Sequence, residues 1–165
     1  MKKLLFLLLF TFVCVNLDAQ HIEFSGIPLG QPFSTIDQAF RQKEYSKGVS
    51  TSRLVSYDGR FWKFEKARIS AWLEDGWTVS MVIVDVNAEV SDYNSLVNNY
   101  RQKYGKSSFK RDGTSYTHSW KVKGGRIEAM CDKELKSNNV SITIEYIDRT
   151  SRSYNPKKHN PNDDL

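Results

Sequence analysis

The stretch WKFEKARISAW, Trp62 to Trp72, alternates like a β-strand but breaks its own alternation half-way. Trp62 and Phe64 share one parity, Ile69, Ala71 and Leu73 share the other, and Glu65-Lys66-Ala67 lies between. The same letters return 58 positions later as WKVKGGRIEAM, Trp120 to Met130. There the break falls on Lys123-Gly124-Gly125, a tight turn or bulge whose glycines are free to take positive φ. The first copy has no glycine at its break, so hairpin and bulge both remain open. Beyond the break, each copy turns an apolar set to one side. The other side carries Arg68, Ser70 and Trp72 in the first copy, and Arg126, Glu128 and Met130 in the second.

Working outward, FRQKEYSKG (Phe40 to Gly48) and YRQKYGKS (Tyr100 to Ser107) repeat at a spacing of 60. Both close helical patterns. Ser34 reads as an N-cap with Asp37 three residues on, and Ile36, Ala39 and Phe40 follow at helical spacing. This predicts a helix from about Thr35 to Ser46, with Gly48 just past its end. Ser91 caps a second helix through Tyr93, Leu96, Val97, Tyr100 and Tyr104, stopped by Gly105.

Strands are expected at Ile22 to Phe24, through residues 51–86 with turns at Asp58-Gly59 and Asp75-Gly76, and then at Tyr116 to Val122, Arg126 to Asp132 and Val140 to Ile147. VSMVIVDV, Val79 to Val86, is apolar at nearly every position and so belongs centrally in the sheet, with much of both faces covered. Strand runs separated by helices, without βαβ alternation, give an α+β fold with an antiparallel sheet. Two helices pack on one face, in two tandem helix-plus-three-strand repeats at about 33–86 and 91–147.

The ends read differently. Lys2 and Lys3 precede an apolar run from Leu4 to Val15, and Ala19 ends a cleavable segment, so residues 1–19 read as a secretory signal peptide. Val13 before Cys14 disfavours a lipid anchor there. The expected product is periplasmic or extracellular, with no transmembrane anchor after cleavage. It is one domain over 20–148 and a disordered polar tail over 149–165. Cleavage lowers the net charge from +5 to +4, too mild an excess to suggest nucleic acid. A single cysteine, Cys131, survives, and no Cys/His pair has zinc spacing. No cofactor is expected.

Few residues offer chemistry. His21, His118 and His159 are scattered, and His118 shares parity with Tyr116 and Trp120 as a half-buried core or edge histidine would. Ser107-x-x-Lys110 matches a nucleophile pattern but lacks its partner motifs. Cys131 shares parity with Ile127 and Ala129, and Asn139-Val-Ser fits a sequon leading into a strand. Glu74-Asp75 reads as a turn. The candidate site is therefore the outward face: Arg68, Trp72, Arg126 and Glu128, joined by Ser141, Thr143 and Glu145 of the last strand. Trp and Arg are enriched in binding hot spots. The plainer reading is a solvated sheet face held by Arg–Glu pairs. The expected function is a non-enzymatic binding module recognising a protein or cell-envelope component. The alternative is a small periplasmic hydrolase or ligand-binding enzyme using His118.

The opening IEFSGIPLGQPFSTIDQAF, the segment YDGRFWKFEKARISAW, the YRQKYG helix end and the closing DDL resemble a family of small secreted proteins common in Bacteroidetes. That resemblance spans essentially the whole chain and brings no functional residues with it. The tandem helix-plus-sheet plan resembles the beta-lactamase-inhibitor-protein fold and its outer-membrane assembly relatives. This resemblance implies a concave sheet face that grips a partner protein through aromatic and charged side chains.

Overall fold

The computed structural model describes residues 21–74, 76–133 and 139–149. The expected signal peptide, most of the expected tail, His159 and Asp75 lie outside them. The described chain opens with a two-residue hairpin, β1 (Glu23–Phe24) and β2 (Ile27–Pro28), turned by Ser25 and Gly26 at φ 51° and 77°. Helix α1 (Phe33–Gln42) leads into four strands: β3 (Ser46–Ser50), β4 (Leu54–Phe61), β5 (Phe64–Glu74) and β6 (Thr78–Glu89). Helix α2 (Val90–Tyr104) leads into four more: β7 (Ser108–Asp112), β8 (Ser115–Val122), β9 (Gly125–Lys133) and β10 (Asn139–Asp148). The eight form one antiparallel sheet in the order β3-β4-β5-β6-β10-β9-β8-β7. Each meander thus runs inward from an edge, and the fourth strands of both meet at the centre.

The expected α+β architecture is present, but each helix is followed by four strands, not three. The additional strands β3 and β7 are the sheet edges, exposed at every position, and so show no apolar alternation to read. Helix α1 also ends four residues earlier than expected. Glu44 turns the chain at φ 63°, and Gly48 lies inside β3, where a Cβ would come within 2.8 Å of Ser56 Oγ. Ser34 does not cap α1. Pro32 occupies the cap position, and Asp37 instead accepts from the Tyr57 hydroxyl (2.6 Å) and from Arg41 Nε (2.9 Å). Burial pushes the Asp37 carboxyl up, but those donors and the Lys47 charge outweigh it and hold it below its ordinary value. Helix α2 is capped two residues before Ser91, by a capping box between Glu89 and Asp92, and ends at Gly105 as expected.

The break in WKFEKARISAW resolves into two separate features. The turn is Trp62-Lys63, with Trp62 at φ 52°, and not Asp58-Gly59, which lies within β4. Gly59 is there for space: a Cβ would overlap the Tyr45 ring. The register then slips between the Gly59–Ala67 and Phe61–Phe64 pairs, so Arg60 alone faces Glu65 and Lys66. This β-bulge flips the parity and leaves Phe64 and Ala67 both buried. In the second half a turn at Lys123-Gly124 suffices, and β9 starts directly at Gly125. Trp62 is therefore a turn residue and Trp120 a buried strand residue. The two Trp-Lys matches do not occupy corresponding places, whereas both Arg-Ile-x-Ala matches lie on the strand after the turn.

The core lies between the helices and one face of the sheet. Ile69 and Ala71 of β5, Val82 and Val84 of β6, Ile142 and Ile144 of β10, and Ile127 and Ala129 of β9 are all fully buried on that face. Helix α1 lays Ile36 and Phe40 over one half, with the Phe40 ring 4.9 Å from Tyr57. Helix α2 lays Tyr93, Leu96, Val97 and Tyr100 over the other, with Tyr100 5.4 Å from Trp120. The first hairpin plugs the side by α1, where Phe24 meets Phe40 at 5.6 Å, Phe61 at 5.8 Å and Tyr146 at 5.1 Å. Among the described residues no helix is long and apolar enough to cross a membrane.

Phe40 touches α1's partners on every side, so Phe40→Ala should cost about 3–5 kcal/mol in urea unfolding. Val49→Ala on the exposed edge strand should stay within about 0.5 kcal/mol.

Candidate functional site

Both described helices cover the same face, and no described helix covers the other. Strand register sets its side chains in lines across the sheet. One line runs Leu54–Trp72–Met81–Ile147–Arg126 over β4, β5, β6, β10 and β9. The next runs Ser70–Ile83–Glu145–Glu128–Ser119 over β5, β6, β10, β9 and β8. A third runs Asp58–Arg68–Asp85–Thr143–Met130. All four expected site residues lie on this face. Trp72 and Arg126 share a line, with two strands between them. Arg68 sits two lines away, and Glu128 lies between those lines.

The two arginines have unlike environments. Arg68 is 69 % exposed, stands 3.9 Å from Asp58 and is in register with Asp85. It lines an open groove of about 810 Å³ with Asp58, Asp85, Asn87 and Ser141. Asp85 in turn accepts from Thr143 Oγ1 at 2.7 Å. Arg126 is largely buried and ion-pairs through Nε with Glu128 at 3.2 Å, and Glu128 also accepts from Ser119 Oγ at 2.9 Å. Glu145 lies directly opposite Glu128. Burial pushes the Glu145 carboxyl above its ordinary value and the Glu128 charge adds to this, while Arg126 works the other way. Trp72 is half-buried between Leu54 and Met81, with Ile83 on the neighbouring line.

The sequence reading missed Met81, Ile83 and Asp85 as members of this face. Val79 to Val86 was expected to have much of both faces covered. The strand alternates, with Val82, Val84 and Val86 buried and Met81, Ile83 and Asp85 only partly buried on the open face. Asp85 was the available signal, as the one charged residue in VSMVIVDV.

The helix-covered face holds a second cavity, between the start of α2 and the edge strand β7. Val90, Tyr93, Asn94, Phe109, Tyr116, His118, Cys131 and Lys133 enclose about 280 Å³. His118 is 8 % exposed, more buried than expected. Its ring lies 4.9 Å from Phe109, 5.9 Å from Trp120 and 6.2 Å from Tyr93, and its Nδ1 is 2.9 Å from Ser107 Oγ. Burial, aided by the Arg101 charge, holds the imidazole below its ordinary pKa, and hence neutral. Among the described residues the lining contains no carboxylate to orient the ring as a catalytic base. Lys110 pairs with Asp112 at 3.8 Å and faces the open side, so it makes no unit with Ser107. Cys131 is a core residue whose thiol burial pushes up, as parity predicts. His21 instead stands 2.7 Å from the fully buried Asp148. Among the described residues no acidic, histidine or cysteine cluster could hold a metal ion.

No known protein family, curated protein or solved structure matches the chain.

The raised carboxyl of Glu145 makes a pH prediction. A folded-state pKa above the unfolded value means that stability is fully present below the ordinary 4.5 and is lost as pH rises through the folded value. Glu145→Gln should therefore raise the melting temperature at pH 7. That gain over wild type should vanish below pH 4.5, as read by thermal scans across pH.

Proposed function

We propose that the protein is a non-enzymatic binding module that recognises a partner protein through the open face of its sheet. In this reading residues 1–19 export it to the periplasm or the cell exterior. The observation that carries the reading is the position of Trp72. It sits with Leu54, Met81 and Ile83 in an apolar cluster toward one end of a face that no described helix covers, and Arg68, Asp85, Arg126, Glu128 and Glu145 lie further along that face. An apolar centre with a polar rim is the usual anatomy of a protein interface. Trp and Arg are the side chains that most often anchor one. Arg126 and Glu128 already hold one another in place, so that part of the face is pre-ordered before any partner arrives.

A photo-cross-linking residue at position 72 should trap a protein adduct from periplasmic extract, and one at the exposed α2 position 98 should not. The Arg68→Ala/Trp72→Ala double variant should lose the same partner while keeping its fold by circular dichroism. Equal adducts at both positions, or a glycan or lipid as the trapped species, would overturn the reading. So would undiminished capture by the double variant.

A further inference from the structure

The groove between α2 and β7 lies on the opposite face from the proposed protein-binding surface and has its own chemistry. Its volume, about 280 Å³, is below the range of drug-sized pockets. At the roughly 30 Å³ that a water occupies in the liquid, it has room for about nine heavy atoms. Its walls are rigid. The single Tyr93 hydroxyl proton is shared between the backbone carbonyls of Tyr116 and Ala129, at 3.2 and 3.1 Å, so the ring is pinned by its far end. His118 is fixed between the neighbouring rings and by Ser107, which leaves Nε2 as the remaining polar atom of a neutral imidazole. Phe109 closes the outer side and is nevertheless 57 % exposed, an unusual cost for a large apolar side chain on an edge strand.

Among the described residues that line the groove, Lys133 is the one carrying a full charge. Lys133 lines it, is exposed and enters no ion pair among the described residues. The Arg111 guanidinium stacks on Tyr116 with 5.3 Å to the ring centroid, adding a second cation beside the groove. Asp112 pairs with Lys110 and Asp132 accepts from Ser115 on the other side of the sheet, while at the start of α2 Asp92 pairs with Lys63 and Glu89 closes the capping box. A ligand suited to such a site is flat, apolar over most of its area and singly anionic at one end. A phosphate would need a nest of N–H donors, which aromatic walls do not supply.

We propose that this groove binds a small aromatic carboxylate, its ring held between Tyr93, Phe109 and His118 and its carboxylate paired with Lys133. Benzoate, with nine heavy atoms, matches the volume and serves as the probe. A ligand of this size in a preformed site reaches a Kd of about 1 mM or tighter.

The test is an NMR titration of the full mature chain with benzoate, benzyl alcohol and acetate, each to about 10 mM. Benzoate should shift the side-chain signals of Tyr93, His118 and Lys133 in a saturable way. Benzyl alcohol should bind several-fold more weakly, and acetate should leave those signals unmoved. Lys133→Met, at an exposed position that does not threaten the fold, should weaken benzoate about three- to fivefold and leave benzyl alcohol unchanged. The proposal is overturned if benzoate shifts nothing at the groove, if benzyl alcohol binds equally well, or if Lys133→Met makes no difference.

Discussion

The pairing of β6 with β10 is the interaction on which the other elements depend. It runs antiparallel from Met81–Ile147 to Glu89–Asn139. On the helix side it sets Val82, Val84 and Val86 against Tyr146, Ile144 and Ile142, all buried. Without it the chain would be two four-stranded meanders, each with one extra unpaired edge and a helix too short of surface to bury its apolar stripe. With it, both helices rest on one continuous floor, and α1 and α2 both reach β6. Two tyrosine hydroxyls meet over this floor, Tyr100 and Tyr146. Burial pushes both well above their ordinary pKa, so they stay protonated and satisfy one another in an apolar place.

The same pairing makes the two faces unlike. On its far side β6 and β10 present Met81, Ile83 and Asp85 beside Thr143 and Glu145. Glu145 is therefore a carboxylate at the middle of an eight-stranded sheet, opposite another carboxylate and only partly relieved by Arg126. Edge positions would have cost nothing of the kind. The open face is thus a compromise between solvation and packing, and its Trp72 is half-covered by neighbours instead of standing in water.

Much of this was legible from the chain, for a simple reason: burial on one side writes a period into the sequence. Ile69-x-Ala71 and Ile127-x-Ala129-x-Cys131 show it, and so do the apolar positions of α2. By the same parity Arg68, Trp72, Arg126 and Glu128 could be placed on the outward face. What stayed hidden was structure without a period or with a distant cause. The edge strands β3 and β7 bury nothing, so their residues carry no pattern. Gly59 looks like a turn signal, but its purpose is the Tyr45 ring, fourteen positions earlier in the chain. The Glu145–Glu128 opposition depends on register. The Ser107–His118 contact depends on how β7 folds back along β8, which no local spacing announces.

The last described strand, β10, occupies the middle of the sheet, and that has a consequence for how the molecule comes into being. As the polypeptide emerges from its N-terminus, β3 to β6 can assemble early, and β7 to β9 can follow as a second hairpin stack. Neither can close until residues 139–148 arrive to fill the slot between β6 and β9. Until then VSMVIVDV, a β-prone run with a single charge, stands as a bare edge, the kind of segment that recruits copies of itself. A chain cut short before β10 would lose far more than the ten residues of that strand. It would keep both halves and expose the seam meant to join them.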